Sequence, residues 1–261
     1  MAAEGGKIDP MHQFEVERLV PFHIGGYDLS FTNSALFMVV VLGLIWLFML
    51  GGMKRQLVPG RWQVAVESVT GFVDDMIAQN VGPEGRRFAP YVFSLFMFIL
   101  VANLLGMMPI GLVPGLHAFT VTSHVTVTGV LALLSFGIVL IVGFARHGLH
   151  FFSLFVPAGT PILMVPFLFI IELFSFLMRP FSLAIRLFVA MTAGHILMKV
   201  LAGFVINGLN AEALWVAPLV AIPSFLLMIG ITLLELLVCA IQAYVFALLT
   251  SVYINDAVNL H

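Results

Sequence analysis

Residues 181–200 read FSLAIRLFVAMTAGHILMKV. Nearly every side chain here is one that hydrocarbon accepts, yet Arg186 stands in the middle. A guanidinium stays protonated at any physiological pH. At the centre of a bilayer it costs about 2.5–3.5 kcal/mol on insertion scales. Such residues mark function by default.

The 261 residues are 61% apolar and only 9% charged. A soluble domain carries about 25% charged residues. The chain therefore reads as an integral membrane protein, one membrane domain over 1–261. The net charge of −2 points to neither nucleic acid nor an anionic surface as partner. Cys239 is the single cysteine, which excludes an internal disulfide and a thiolate metal cluster; no metal or cofactor is expected. Residues 1–30 have neither the basic start nor the apolar core of a signal peptide.

A spanning helix needs about 20 mostly apolar residues. Residues 31–50, 89–108 and 125–145 each supply one. Two longer apolar stretches follow, 161–206 and 214–254, separated by NGLNAE at 207–212. Each exceeds one perpendicular crossing, so it either breaks into further spans or forms one long, strongly tilted helix. Pro166, Pro180 and Pro223 are the candidate bends. Residues 60–80 differ: Val64, Val66, Val69, Phe72, Val73, Met76 and Ile77 gather on one side, Glu67, Thr70, Asp74 and Asp75 mostly on the other. That pattern reads as an amphipathic helix at the membrane surface, or as a helix packed on the ends of the spans. The fold class is all-α with about five crossings.

Lys54, Arg55, Arg61, Arg86 and Arg87 fall between the first two spans, and Arg146 follows the third. The loops at 109–124 and 207–213 carry no Lys or Arg. By the positive-inside rule the N-terminal segment lies outside and the C-terminus inside.

Five ionisable groups lie within the apolar stretches: Glu172, Arg179, Arg186, His195 and Glu235. At about 100° per residue, Glu172, Ser175, Arg179, Ser182 and Arg186 share one face. Thr192, His195 and Lys199 form a second stripe, roughly opposite. Two polar tracks thus approach Arg186 from the two membrane surfaces without joining. On the last stretch Glu235 and Gln242 share a face. Glu235 is placed to pair with His195, and imidazole beside carboxylate handles protons near neutral pH. Gln242 is a candidate bridge to Arg186. Structural readings stand beside these. Arg179 fits an interface near Pro180, in reach of lipid phosphate, and Glu172 would neutralise it. Ser175 and Ser182 would bond backbone carbonyls. His117 and His124 would be histidines of the external loop.

The stretch FSLAIRLFVAMTAGHIL resembles the signature of subunit a, the stator proton-channel subunit of F-type ATP synthase. NLLGMMP at 103–109, IELFSFLMRPFSL at 171–183 and LLELLVCAIQAYVFALLTSVYI at 233–254 extend the resemblance over nearly the whole chain. It implies that Arg186 is the essential stator charge, and that His195, Glu235, Gln242, Glu172 and Ser182 line the proton pathway. It implies that 161–206 and 214–254 form a tilted hairpin against a rotor c-ring. The other partners it implies are the peripheral-stalk b and b′ subunits and the remainder of F1F0. It also implies that the chain itself is non-catalytic and sits in a bacterial inner membrane. The His195 and Glu235 arrangement resembles mitochondrial and alphaproteobacterial members. Where the family commonly has asparagine, this chain has Ala190.

Other classes fit less well. A secondary ion-coupled transporter usually shows internal repeats, and none is visible. A bis-histidine haem needs two facing histidines, and only His195 lies securely within a span. An intramembrane protease needs a Ser–His or paired-aspartate site, and the spans as bounded here contain no aspartate.

Overall fold

The computed structural model describes residues 16–21, 23–24, 27–28, 30–53, 58–108, 120–156, 161, 163–209 and 216–259. The helices are α1 (Asn33–Gly52), α2 (Arg61–Asn80), α3 (Ala89–Met107), α4 (Val125–His147), α5 (Val165–Leu209) and α6 (Val216–Val258). Short 3-10 turns cover Pro83–Phe88, Val121–Ser123 and Gly148–Phe155. Five helices are long and apolar enough to cross a membrane, α2 being the exception.

The N-terminal segment adds a feature that the apolar count did not register. β1 (Arg18–Val20) pairs antiparallel with β4 (Phe31–Thr32), and β2 (His23–Ile24) with β3 (Tyr27–Asp28). The sequence HIGGYD carries the hairpin signal, two glycines between short β-prone pairs. Thr32 then starts α1, its hydroxyl accepting from the Ala35 amide at 3.3 Å.

The two long apolar stretches are single helices. α5 has 45 residues and α6 has 43, each continuous through its internal proline, Pro180 or Pro223. At about 1.5 Å per residue each is about 65 Å long, roughly twice the hydrocarbon thickness. Pro166 bends nothing, because it lies in the first turn of α5, where a missing N–H is tolerated. The pairs Arg179–Asp256 and His195–Glu235, with Gly208 against Ala221, set the two helices antiparallel.

Lipid offers apolar side chains no reason to leave it, so helices in a membrane associate by close packing of small residues. On α6, Cys239, Ala243, Ala247 and Ser251 recur every four residues and each is 0% exposed. That stripe seats α6 in a core built from Val92 and Ile99 of α3, Val139 of α4, and Leu187 and Met191 of α5. α2 packs against α1, α3 and α6, burying Val66, Val73, Met76 and Ile77. Trp62 donates its indole N–H to the Phe48 carbonyl at 2.9 Å. Arg146, in the last turn of α4, pairs with Glu84, and His147 Nε2 bonds the Val258 carbonyl at 3.1 Å. α4 ends where Gly148 takes φ +56°, a left-handed angle that favours glycine.

Ala247→Leu should overpack the α6 stripe and destabilise the fold by about 1–3 kcal/mol. Thermal unfolding in detergent should show a lowered midpoint, with Ala247→Ser close to the parent protein.

Candidate functional site

Arg186 is exposed on the outer surface of α5. Its neighbours there are Phe181, Ile185 and Val189, at 60%, 52% and 50% exposure, an apolar surround. Among the described residues its side chain makes one hydrogen bond, donated from Nη2 to Ser182 Oγ at 3.4 Å, and no ion pair. The serine reading is corrected here for Ser182: its hydroxyl faces Arg186 one turn on, rather than only a backbone carbonyl.

His195 follows nine residues later. That spacing puts it half a turn round the helix and about 13.5 Å along the axis. Accordingly it faces the bundle interior, with its side chain 4% exposed. Its Nδ1 lies 2.6 Å from Oε1 of Glu235, which is 2% exposed. Gly194 makes this approach possible. A Cβ there would sit 2.6 Å from Glu235 Oε1 and 2.9 Å from Cδ. The other imidazole nitrogen, Nε2, meets Thr120 Oγ1 at 2.6 Å. When the imidazole is neutral with Nδ1–H towards the carboxylate, Nε2 accepts the threonine O–H. When it is charged, Nε2–H donates to the same oxygen. A hydroxyl does both, so this pair gains or loses a proton without breaking either contact. Both oxygens of the Glu235 carboxyl are buried and neither has a hydrogen-bond partner among the described residues, Oε1 meeting His195 Nδ1 only as a close contact.

Residues not singled out from the sequence hold Thr120 in place. Ser123 Oγ donates to the Thr120 carbonyl at 2.6 Å. Thr122 Oγ1 donates to Asn103 Oδ1 at 2.7 Å, and Asn103 Nδ2 donates to the Cys239 carbonyl at 3.4 Å. Thr192 Oγ1 donates to the Ser123 carbonyl at 3.5 Å. All of Asn103, Thr120, Thr122 and Ser123 are buried. Buried polar groups are stable only when bonded, and this set ties α3, α5, α6 and the 120–123 turn into one polar interior. The available signal was the cluster TVTS, four buried hydroxyl-rich positions ahead of an apolar run.

Three expectations change. Arg179 lies in an interface, as expected, but its carboxylate is not Glu172: its Nη1 lies 2.8 Å from Asp256 Oδ2 on α6, and its guanidinium is over the rings of Tyr253 (4.8 Å) and Phe176 (5.3 Å). Helix α6 runs on to Val258, past the boundary drawn at 254, which puts Asp256 on a spanning helix after all. A single aspartate held by arginine is no protease dyad. Gln242 is half-buried and makes no hydrogen bond to Arg186. His124 caps the start of α4, where burial pushes its imidazole below the ordinary value; His117 lies outside the described residues.

A buried imidazole–carboxylate pair on one side of a long helix, with a cation that has no carboxylate partner among the described residues on the other, defines a membrane protein built for ion translocation. The family described as ATP synthase A chain matches residues 34–255. The chain is similar to "ATP synthase subunit a" of Rhizorhabdus wittichii, 73% identical over 263 residues and covering 100% of both chains. It is 69% identical to that of Sphingopyxis alaskensis over 262 residues, again 100% of both. The protein of the same name from Rhodospirillum rubrum is 46% identical over 253 residues, 97% of this chain and 99% of the relative. The chain therefore belongs to the ATP synthase subunit a family, the non-catalytic, proton-translocating stator subunit of the F0 sector in a bacterial inner membrane. A separate secondary transporter is not favoured.

Loss of a buried hydrogen bond worth about 1.4 kcal/mol in a rate-limiting transfer slows it about tenfold. Thr120→Val should lower passive proton conductance of membranes stripped of the catalytic head by about that factor, and Thr120→Ser should retain it. Gly194→Ala, which drives a methyl into Glu235, should lower conductance at least as far while the subunit still assembles.

Proposed function

We propose that Arg186 is the stator charge that a rotor carboxylate passes, and that it separates two aqueous half-channels. The observation that carries this reading is its exposure on an apolar face with no carboxylate partner among the described residues. A bare guanidinium in hydrocarbon is unfavourable, so the surface around it calls for a partner that brings an anion. The c-ring supplies a carboxylate at each step of its rotation.

With the N-terminus outside and the C-terminus inside, His195 and Glu235 belong to the outer half-channel, with Thr120 beside them and Gln242 deeper. A proton arriving there passes to the rotor carboxylate, whose neutral form then faces lipid. Glu172 and Ser182 lie on the other side of Arg186 and line the inner half-channel, where the rotor releases its proton. The new carboxylate is drawn to Arg186, which blocks a direct proton leak because it holds no exchangeable state at physiological pH. Each proton crossing gains about 2.3 kcal/mol per 100 mV. The b and b′ stalk subunits hold the stator still, and α2 with its exposed Trp62, Val64 and Phe72 rests at the inner membrane surface.

Arg186→Ala should abolish ATP-driven proton pumping, measured by fluorescence quenching in inverted vesicles, with normal amounts of the subunit in the purified complex. Arg186→Lys should be badly impaired, since an ammonium lacks the planar fork and can lose its proton. Coupled pumping at the parent rate by Arg186→Ala would remove the basis of this reading.

A further inference from the structure

We infer that Asp256 is a counter-ion that keeps Arg179 from acting as a second stator charge, leaving Arg186 free to meet the rotor carboxylate. The inference rests on the rotor reading above and extends it to a residue pair with no assigned role.

Arg179 and Arg186 are seven residues apart on α5. That spacing returns to within about 20° of the same face and separates them by about 10.5 Å along the axis. Both guanidiniums therefore border the path of anything sliding along that face. Their surroundings differ. Among the described residues Arg186 makes one hydrogen bond, to the Ser182 hydroxyl, and no ion pair. Arg179 is enclosed: Asp256 Oδ2 at 2.8 Å, the Tyr253 ring at 4.8 Å and the Phe176 ring at 5.3 Å. Its side chain is 20% exposed and that of Asp256 26%.

Local preference does not explain the aspartate. Asp is a poor helix former, and Asp256 sits in the last turn of α6, which ends at Val258. There the helix dipole disfavours a negative charge. The arginine across the hairpin accounts for it. Tyr253, one turn earlier on α6, closes over the cation from the same helix. The pair is formed by two residues 77 apart in sequence, so it exists only once the hairpin has closed.

Without Asp256, Arg179 would present a full charge to a carboxylate leaving Arg186. At the dielectric of a partly wet site, a second unit charge at that distance holds the anion about tenfold longer. Rotation would stall at a second trap.

The test uses the whole ATP synthase carrying Asp256→Asn, Arg179→Gln, or both, with Arg186→Ala in parallel. Asp256→Asn should lower ATP-driven proton pumping about tenfold while the complex assembles with the subunit in parent amounts. Arg179→Gln combined with Asp256→Asn should recover to within about twofold of the parent, because no cation is left to mask. Parent-rate pumping by Asp256→Asn overturns the inference. So does a double variant no better than Asp256→Asn, or loss of the subunit from the complex in both, since either makes the pair a structural clasp. Arg186→Ala separates the two claims: if it pumps normally, the rotor reading itself has failed, and if it is silent while Asp256→Asn is normal, only the counter-ion role falls.

Discussion

A guanidinium on an apolar surface has to find its anion beyond its own chain. That constraint organises this protein. Among the described residues Arg186 has no carboxylate partner, although Arg179 and Arg146 each have one. The helix that carries it is too long to stand upright in a bilayer, so it lies across one and presents its polar residues at different depths. The hairpin with α6 is closed by small residues on the inner face, which leaves the outer face free for a neighbour of matching shape.

The same helix turns a different chemistry inward. Half a turn from Arg186, His195 meets Glu235 and Thr120 in a buried polar interior. The two sites are separated by the body of α5 rather than by a gate. A proton reaching His195 and an anion reaching Arg186 approach the same stretch of helix from opposite sides. This geometry suits an exchange in which protons must change depth without a continuous wire of water between the two membrane surfaces.

Much of this was legible in the residues. Periodicity alone put Arg186 and His195 on opposite faces, because nine residues advance a helix by a half-integral number of turns. Apolar run length located the spans to within a few residues of the helices. What escaped were contacts fixed by tertiary closure. The partner of Arg179 was sought at Glu172, on its own helix, because single-helix reasoning sees only near neighbours; the carboxylate came from Asp256 on the next helix. Nothing local shows that Asn103 and His195 converge on the Thr120–Ser123 turn. Gly194 had no visible role until the Glu235 carboxyl occupied the space its side chain would fill. In the N-terminal segment, four short strands lay below the length at which alternation can be read.

The central claim is that the face of α5 bearing Arg186 meets a rotor carboxylate. Disulfide cross-linking in the assembled complex tests it most directly, with one cysteine at Val189, one turn from Arg186 on that face, and one beside the rotor carboxylate. The account predicts a rapid cross-link from Val189→Cys and none from Leu133→Cys, an equally exposed position on α4. Equal cross-linking from both positions, or none from Val189→Cys in an active complex, would contradict it.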